Sequence, residues 1–329
     1  MISPDFVFIS TYRAIIRALS PPGAKAKLSI LIFHRVLAEP DLLQTDLIYA
    51  QKFADIIDLF RKIFDILPLS EAIERLRSGT LPARAGCITF DDGYADNLTV
   101  ATPILKHYGL PATVFVATDY LNGGRMFNDT IIEAARRAPL GRYELSQLGL
   151  GLADQELMDL SSRVALIKHI LPKVKYLSVT ARAQAVDAIV ARLKVDIADL
   201  PRDLMLTTEM LQALHQAGVE IGAHTRRHPI LAGLSDYEAE QEIAEGKHWL
   251  EECLKTEIRV FAYPNGKPGV DYSPRDADLA KKLGFIGAVS TAWGAASRKT
   301  DPYQLPRFSP WTHNSWGFTM QLSRNLMHQ

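Results

Sequence analysis

Cysteine is nearly missing from this chain, whose 329 residues contain only Cys87 and Cys253. Two cysteines cannot build the disulfide framework of a small secreted domain, and Cys87 lies within an apolar run, so both read as reduced core residues. An excess of either charge is missing too. Thirty-seven basic residues balance 37 acidic ones, which argues against a general nucleic-acid or anionic-membrane binder and leaves only a local patch open. No apolar run approaches the roughly 20 residues of a membrane span. Residues 1–27 do not read as a signal peptide, because Asp5 interrupts them, the apolar run 6–9 is short and the basic residues follow it. The expectation is a cytoplasmic protein without stable membrane insertion. Residues 12–19 form a candidate amphipathic helix, expected to pack on the body of the protein, with a bilayer surface as the other option. Repeats and low-complexity tracts are absent as well. What remains is a chain with 47% apolar residues, enough for one large core.

Within it, Cys87-Ile88-Thr89-Phe90 reads as the end of a short buried strand, apolar and β-branched with no helical period. Asp91 and Asp92 close it, and Gly93 permits a sharp turn. Consecutive side chains at a strand end point in different directions, so the pair can divide labour between a metal and whatever the metal activates. The plainer possibility is that the pair caps a helix starting near Ala95, since aspartate is a favoured N-cap. A second strand favours the metal. Gly222-Ala223-His224-Thr225-Arg226-Arg227-His228-Pro229 places two histidines four apart, a spacing that lets both imidazoles meet one ion. Asp92, His224 and His228 would then form a three-ligand site with a position open for water, as catalytic metals require. Zinc is the first choice for so histidine-rich a site, with cobalt, nickel or another transition metal as alternatives.

Thr89-Phe90-Asp91-Asp92-Gly93-Tyr94, then the His224 to His228 motif, then Phe261-Ala262-Tyr263-Pro264-Asn265-Gly266, resemble in order and spacing the polysaccharide deacetylases of the NodB-homology type, carbohydrate esterase family four. The resemblance runs over residues 28–308 with one long insertion. It implies an α/β fold, a distorted (β/α)7-type barrel, and hydrolysis of N-acetyl groups on an N-acetylated carbohydrate. It also implies Asp91 as catalytic base and the Asn265 N–H as donor to the developing oxyanion, against the plainer reading of an ordinary Pro-Asn-Gly turn. Most members carry their general-acid histidine on the last barrel strand. One circularly permuted branch, which includes the biofilm poly-N-acetylglucosamine deacetylases, carries that strand first. Ile32-Phe33-His34 resembles the permuted motif, with His34 as the acid and Ile32 against the acetyl methyl. Ala262 stands where many members have an arginine that pairs with the base. Arg307 is a candidate replacement, a plain surface salt bridge being the alternative.

Read in chain order, residues 1–27 are an N-terminal helical extension, 28–315 the barrel and 316–329 a C-terminal tail. Residues 120–206 interrupt the barrel with helical stretches around 129–137, 154–170 and 181–193 and no convincing strand. Such an insertion on the top face of a barrel would shape substrate choice or an oligomer contact, and oligomeric state is left open. Ser70 reads as the cap of a helix over 70–78, and Ser235 with Glu238 as a capping box. His313 and His328 have no motif around them. Rival readings are an O-acetyl esterase or a non-sugar C–N amidase on the same scaffold and, more distantly, a non-catalytic carbohydrate-binding protein.

Overall fold

The computed structural model describes residues 4–310 and 315–328. Seven short parallel strands form one curled sheet: β1 (Leu28–Phe33), β2 (Asp65–Ile66), β3 (Ala85–Phe90), β4 (Thr113–Val116), β5 (Glu220–Ala223), β6 (Val260–Ala262) and β7 (Gly287–Val289). The spatial order is β1-β3-β4-β5-β6-β7, with β2 paired to the start of β3. Every residue of β1 and β3 is buried, as expected of parallel strands covered on both faces. Residues 305–308 bridge the two ends, Leu305 pairing with Val289 and Phe308 with Leu31. This closure makes the α/β barrel expected from the sequence.

Register decides what emerges at the top. Phe33 lies opposite Phe90, so His34 and Asp91 leave adjacent strands side by side, and the Asp91 N–H donates to Phe33 O at 2.9 Å. Val116 lies opposite Ala223, and the His224 N–H donates to Val116 O at 3.1 Å. The closing segment carries Arg307 into the gap between β7 and β1.

Helices cover the sheet: α1 (Pro4–Leu19), α2 (Ala50–Ile63), α3 (Leu69–Ser78), α4 (Thr102–Tyr108), α5 (Phe127–Arg137), α6 (Leu160–Lys175), α7 (Val179–Arg192), α8 (Thr208–Gln216), α9 (Asp236–Leu254), α10 (Pro274–Lys282) and α11 (Ser315–Met327). Helix α2 buries Phe53, Ile56, Ile57, Phe60 and Ile63 at helical spacing. The Ser235/Glu238 capping box opens α9 as expected. Helix α11 sinks Phe318, Leu322 and Leu326 into the barrel core, and Ser29 Oγ donates to Asn325 Oδ1 at 3.1 Å. No helix among the described residues is long and apolar enough to cross a membrane.

Three local expectations need correction. Ser70 does not cap α3, because the chain turns in at Pro68 and the Glu220 carboxylate from β5 accepts from the Leu69 and Ser70 N–H groups at 3.1 and 3.3 Å. A distant side chain supplies the cap, which no local pattern reveals. The insertion is not purely helical: Gly141–Tyr143 and Gln155–Leu157 pair antiparallel. The expected helix over 154–170 therefore begins only at Leu160, where Asp159 and Ser162 form a capping box. Cys253 is only partly buried, unlike Cys87, and both thiols are free. The insertion has an apolar core of its own, with Ile131, Leu166, Ile170 and Ile189 fully buried. Residue 313 lies outside the described residues, and His328 packs edge-on against Trp293 with ring centroids 4.9 Å apart.

Candidate active site

Asp91 sits at the end of β3 and does not cap a helix. Arg307 Nη1 and Nη2 donate to its two carboxylate oxygens at 2.7 Å each. Both side chains are buried, so the plain surface salt bridge is excluded. The guanidinium is itself oriented, donating through Nε to Ser290 O at 3.0 Å and through Nη1 to Thr89 Oγ1 at 3.1 Å. Burial alone would push the Asp91 pKa up, but the Arg307 charge, its hydrogen bonds and the neighbouring His224 and His34 together outweigh it and hold the carboxyl below the usual range. Asp91 is thus ionised and rigidly aimed.

Asp92 faces the other way. Its Oδ1 lies 3.5 Å from His224 Nε2 and 3.4 Å from His228 Nε2, and all three ligand atoms fall within 4.8 Å of one another. His224 Nδ1 lies 2.7 Å from Ala262 O, which fixes a proton on Nδ1 and turns Nε2 toward Asp92. Burial lowers the His224 pKa, but Asp92 and Asp91 outweigh that and raise it above the ordinary value. Burial pulls the His228 pKa down to about 3, so that imidazole is neutral. Asp92 Oδ1 and His228 Nδ1 are buried without a hydrogen-bond partner. An orphaned carboxylate oxygen facing two imidazole nitrogens is the donor set of a divalent transition metal, and the residues present fit one.

The loops pay in backbone strain for this arrangement. Asp92, Thr225, His228 and Asn265 all have positive φ, at 77°, 62°, 52° and 59°, and such outliers gather where geometry is over-determined. Thr225 Oγ1 donates to His224 O at 2.5 Å and accepts from the His228 N–H at 3.1 Å, joining the two ligands. Buried Glu242 on α9 accepts from the Arg227 N–H at 2.9 Å. Gly246 lets that helix approach so closely that an added Cβ would lie 2.8 Å from Thr225 O.

His34 stands exposed at the mouth. Asn97 Nδ2 donates to His34 O at 2.8 Å, and Arg35 Nε donates to Asp96 Oδ2 at 2.8 Å. The Asn265 N–H has no acceptor among the described residues, while Asn265 O accepts from Thr291 Oγ1 at 2.8 Å. His34, Asp91, Asp92, His224, His228 and Asn265 all line one cavity of about 390 Å³. Arg307 stands behind Asp91. Ile32 is buried within β1 and is not among the lining residues.

The insertion supplies most of the rest of the wall, through Met126, Phe127, Asn128, Leu171, Pro172, Lys175 and Tyr176, and Thr291 completes it. Sequence reasoning missed these, and it missed Arg182 of α7, whose Nη2 donates to His228 O at 3.3 Å. It also missed Asp129, which accepts from Tyr94 Oη at 2.9 Å beneath the cavity. Tyr94 was inside the quoted motif, but its partner comes from the insertion, and no sequence signal links the two.

Residues 78–141 and 168–287 match the family model described as polysaccharide deacetylase. A putative polysaccharide deacetylase, YxkH of Bacillus subtilis (strain 168), is 24% identical over 220 residues. That alignment takes in 67% of this chain and 49% of the relative, so the chain spans about half the length of the curated relative it matches. Among solved structures, the deacetylase PplD of Streptococcus pyogenes, in complex with acetate, aligns with a TM-score of 0.59 at 19% identity, over 92% of this chain and 98% of that one. IcaB from Ammonifex degensii aligns with a TM-score of 0.57 at 18% identity, over 93% and 98%. These two likenesses bear on the fold.

Proposed function

Because the chain belongs to the polysaccharide deacetylase family, we propose that it is a metal-dependent hydrolase removing N-acetyl groups from an amino-sugar polysaccharide or oligosaccharide. The observation that carries this reading is the division of labour between neighbouring carboxylates, Asp91 locked to Arg307 and Asp92 facing two imidazoles, in one cavity. A non-catalytic carbohydrate binder would have no use for it. Asp92, His224 and His228 would hold the ion, with zinc the first choice for two imidazoles and a carboxylate. When bound, a divalent ion supplies Lewis-acid polarisation and a lowered water pKa.

The chain's own groups do the rest. Asp91, ionised by Arg307, takes the proton of the water that attacks the acetyl carbon. The Asn265 N–H donates to the oxygen that gains charge as the carbonyl becomes tetrahedral. His34, at the mouth, gives a proton to the departing sugar nitrogen, so that the C–N bond breaks to acetate and a free amine. The wall formed by the insertion holds the sugar against these groups and narrows water access.

The test is acetate release from N-acetylated and O-acetylated oligosaccharides, with and without chelator. Chelator-sensitive release from the N-acetylated set is expected. Hydrolysis of the O-acetylated set alone would overturn the deacetylase reading in favour of an esterase.

A further inference from the structure

Beside the active-site cavity lies a second one, of about 290 Å³, lined by Arg125, Arg182 and Arg202 with Asp187 as the carboxylate among its lining residues. Three guanidinium groups against one carboxylate leave a surplus of two positive charges. Three other buried or half-buried arginines are each matched by a carboxylate, Arg307 by Asp91, Arg35 by Asp96 and Arg84 by Asp65. Among the described residues none of the three has an ion pair. Arg182 is buried, and its Nη groups donate to the carbonyls of Lys175 and His228, at 3.4 and 3.3 Å. Arg125 Nη1 donates to Pro201 O at 2.8 Å, while its Nε is buried without an acceptor. Arg202 is exposed, and its main chain lies against Gly123, where an added Cβ would be 3.6 Å from Arg202 O. Burial and then the neighbouring Arg202 charge pull the Arg125 pKa down from the ordinary arginine range, and the nearby Asp129 and Glu133 carboxylates offset them only in part.

The two cavities adjoin. Phe127 lines both, and the Arg182 guanidinium lies 4.6 Å from the centre of its ring. Met126 lines the first and Arg125 the second, so one step along the chain crosses from one to the other. The surplus of two charges matches a phosphate monoester, which is nearly dianionic at neutral pH. Its oxygens suit guanidinium forks. We infer that the arginine-lined cavity is a phosphate-binding subsite, and that the preferred substrate is an N-acetylated amino sugar bearing a phosphate group near the scissile amide. This rests on the deacetylase reading above and adds a substrate class to it.

The experiment compares N-acetylglucosamine with its 1-phosphate and 6-phosphate on the metal-loaded wild-type protein and on Arg202→Ala, whose exposed side chain can be removed without opening the core. Binding is read by calorimetry and turnover by acetate release. At least one phosphosugar should bind wild type about tenfold or more tightly than the plain sugar, and Arg202→Ala should erase that advantage while leaving the plain sugar unchanged. Inorganic phosphate should compete with the phosphosugar, and this competition too should weaken in Arg202→Ala. Equal phosphosugar affinity in the two proteins overturns the subsite, because phosphate held on the metal alone would be indifferent to Arg202. Inorganic phosphate binding without any preference for a phosphosugar also overturns it, since the anion would then be free and not the substrate's own. The calorimetric preference together with no acetate release from any sugar would leave the subsite standing and bring down the deacetylase reading instead.

Discussion

Asp91 and Arg307 stand 216 positions apart in sequence and share two parallel hydrogen bonds of 2.7 Å. The pair exists because residues 305–308 close the barrel beside β1, bringing Arg307 to the end of the strand next to β3. A buried fork of this kind both orients the carboxylate and keeps it charged.

Replacing Arg307 by lysine should therefore cost activity in a recognisable way. Arg307 holds the Asp91 pKa down, so a single-point cation that pairs less well should let it rise, and the acid limb of the pH–rate profile should move to higher pH. Arg307→Ala should go further and destabilise the fold by about 3–5 kcal/mol, as expected when one partner of a buried pair is removed. A pH–rate profile and a denaturant titration check the two effects. An unmoved acid limb in Arg307→Lys would separate Asp91 from the base role.

Metal content distinguishes the neighbouring carboxylates. Asp91→Asn should purify with wild-type metal and fail to turn over, because Asp91 faces Arg307 and not the imidazoles. His224→Ala should lose both metal and activity. Elemental analysis of the two purified variants tests this, and equal loss in both would mean that the roles are misassigned.

His34 is exposed, and its place depends on backbone bonds such as that from Asn97 Nδ2 to His34 O. His34→Ala should keep its melting temperature and its metal, yet release acetate about 10²–10⁴-fold more slowly, the range for loss of a general acid. Wild-type turnover would move the acid elsewhere.

Asp129 should make stability depend on pH. Burial raises its pKa to about 7, so between about 4, the ordinary carboxylate value, and 7 the folded protein holds a proton that the unfolded chain has released. The slope of stability against pH is then negative over that window, and stability falls as pH rises through it. Asp129→Asn can still accept from Tyr94 Oη, and it removes this penalty. Thermal unfolding should show the variant gaining on wild type from about pH 4 to pH 7, with the difference level above that. A difference independent of pH would mean that Asp129 is charged in the folded protein throughout.

The strands and the groups at their ends were legible because they are local. The buried run Ala85–Phe90 followed by two aspartates, and two histidines four apart after Glu220–Ala223, each carry their signal within a dozen residues. The same holds for the Ser235/Glu238 box. Ser70 was misread because its helix is capped by Glu220, about 150 residues away, and the hairpin in the insertion because strands of three residues have too little periodicity to register.

Sequence alone determined which groups this protein can bring to a reaction: a carboxylate pair, two imidazoles at ligand spacing, a strand-end histidine and a Pro-Asn-Gly turn. Those follow from residue type and from periods of a few residues, which act before any long-range contact forms. The tertiary structure decided what the groups face. Register set His34 beside Asp91, barrel closure brought Arg307 to its carboxylate, and packing of the insertion put Asp129 under Tyr94 and Arg182 behind His228. Each of these joins residues from separate elements, and only burial of a common core fixes their distance.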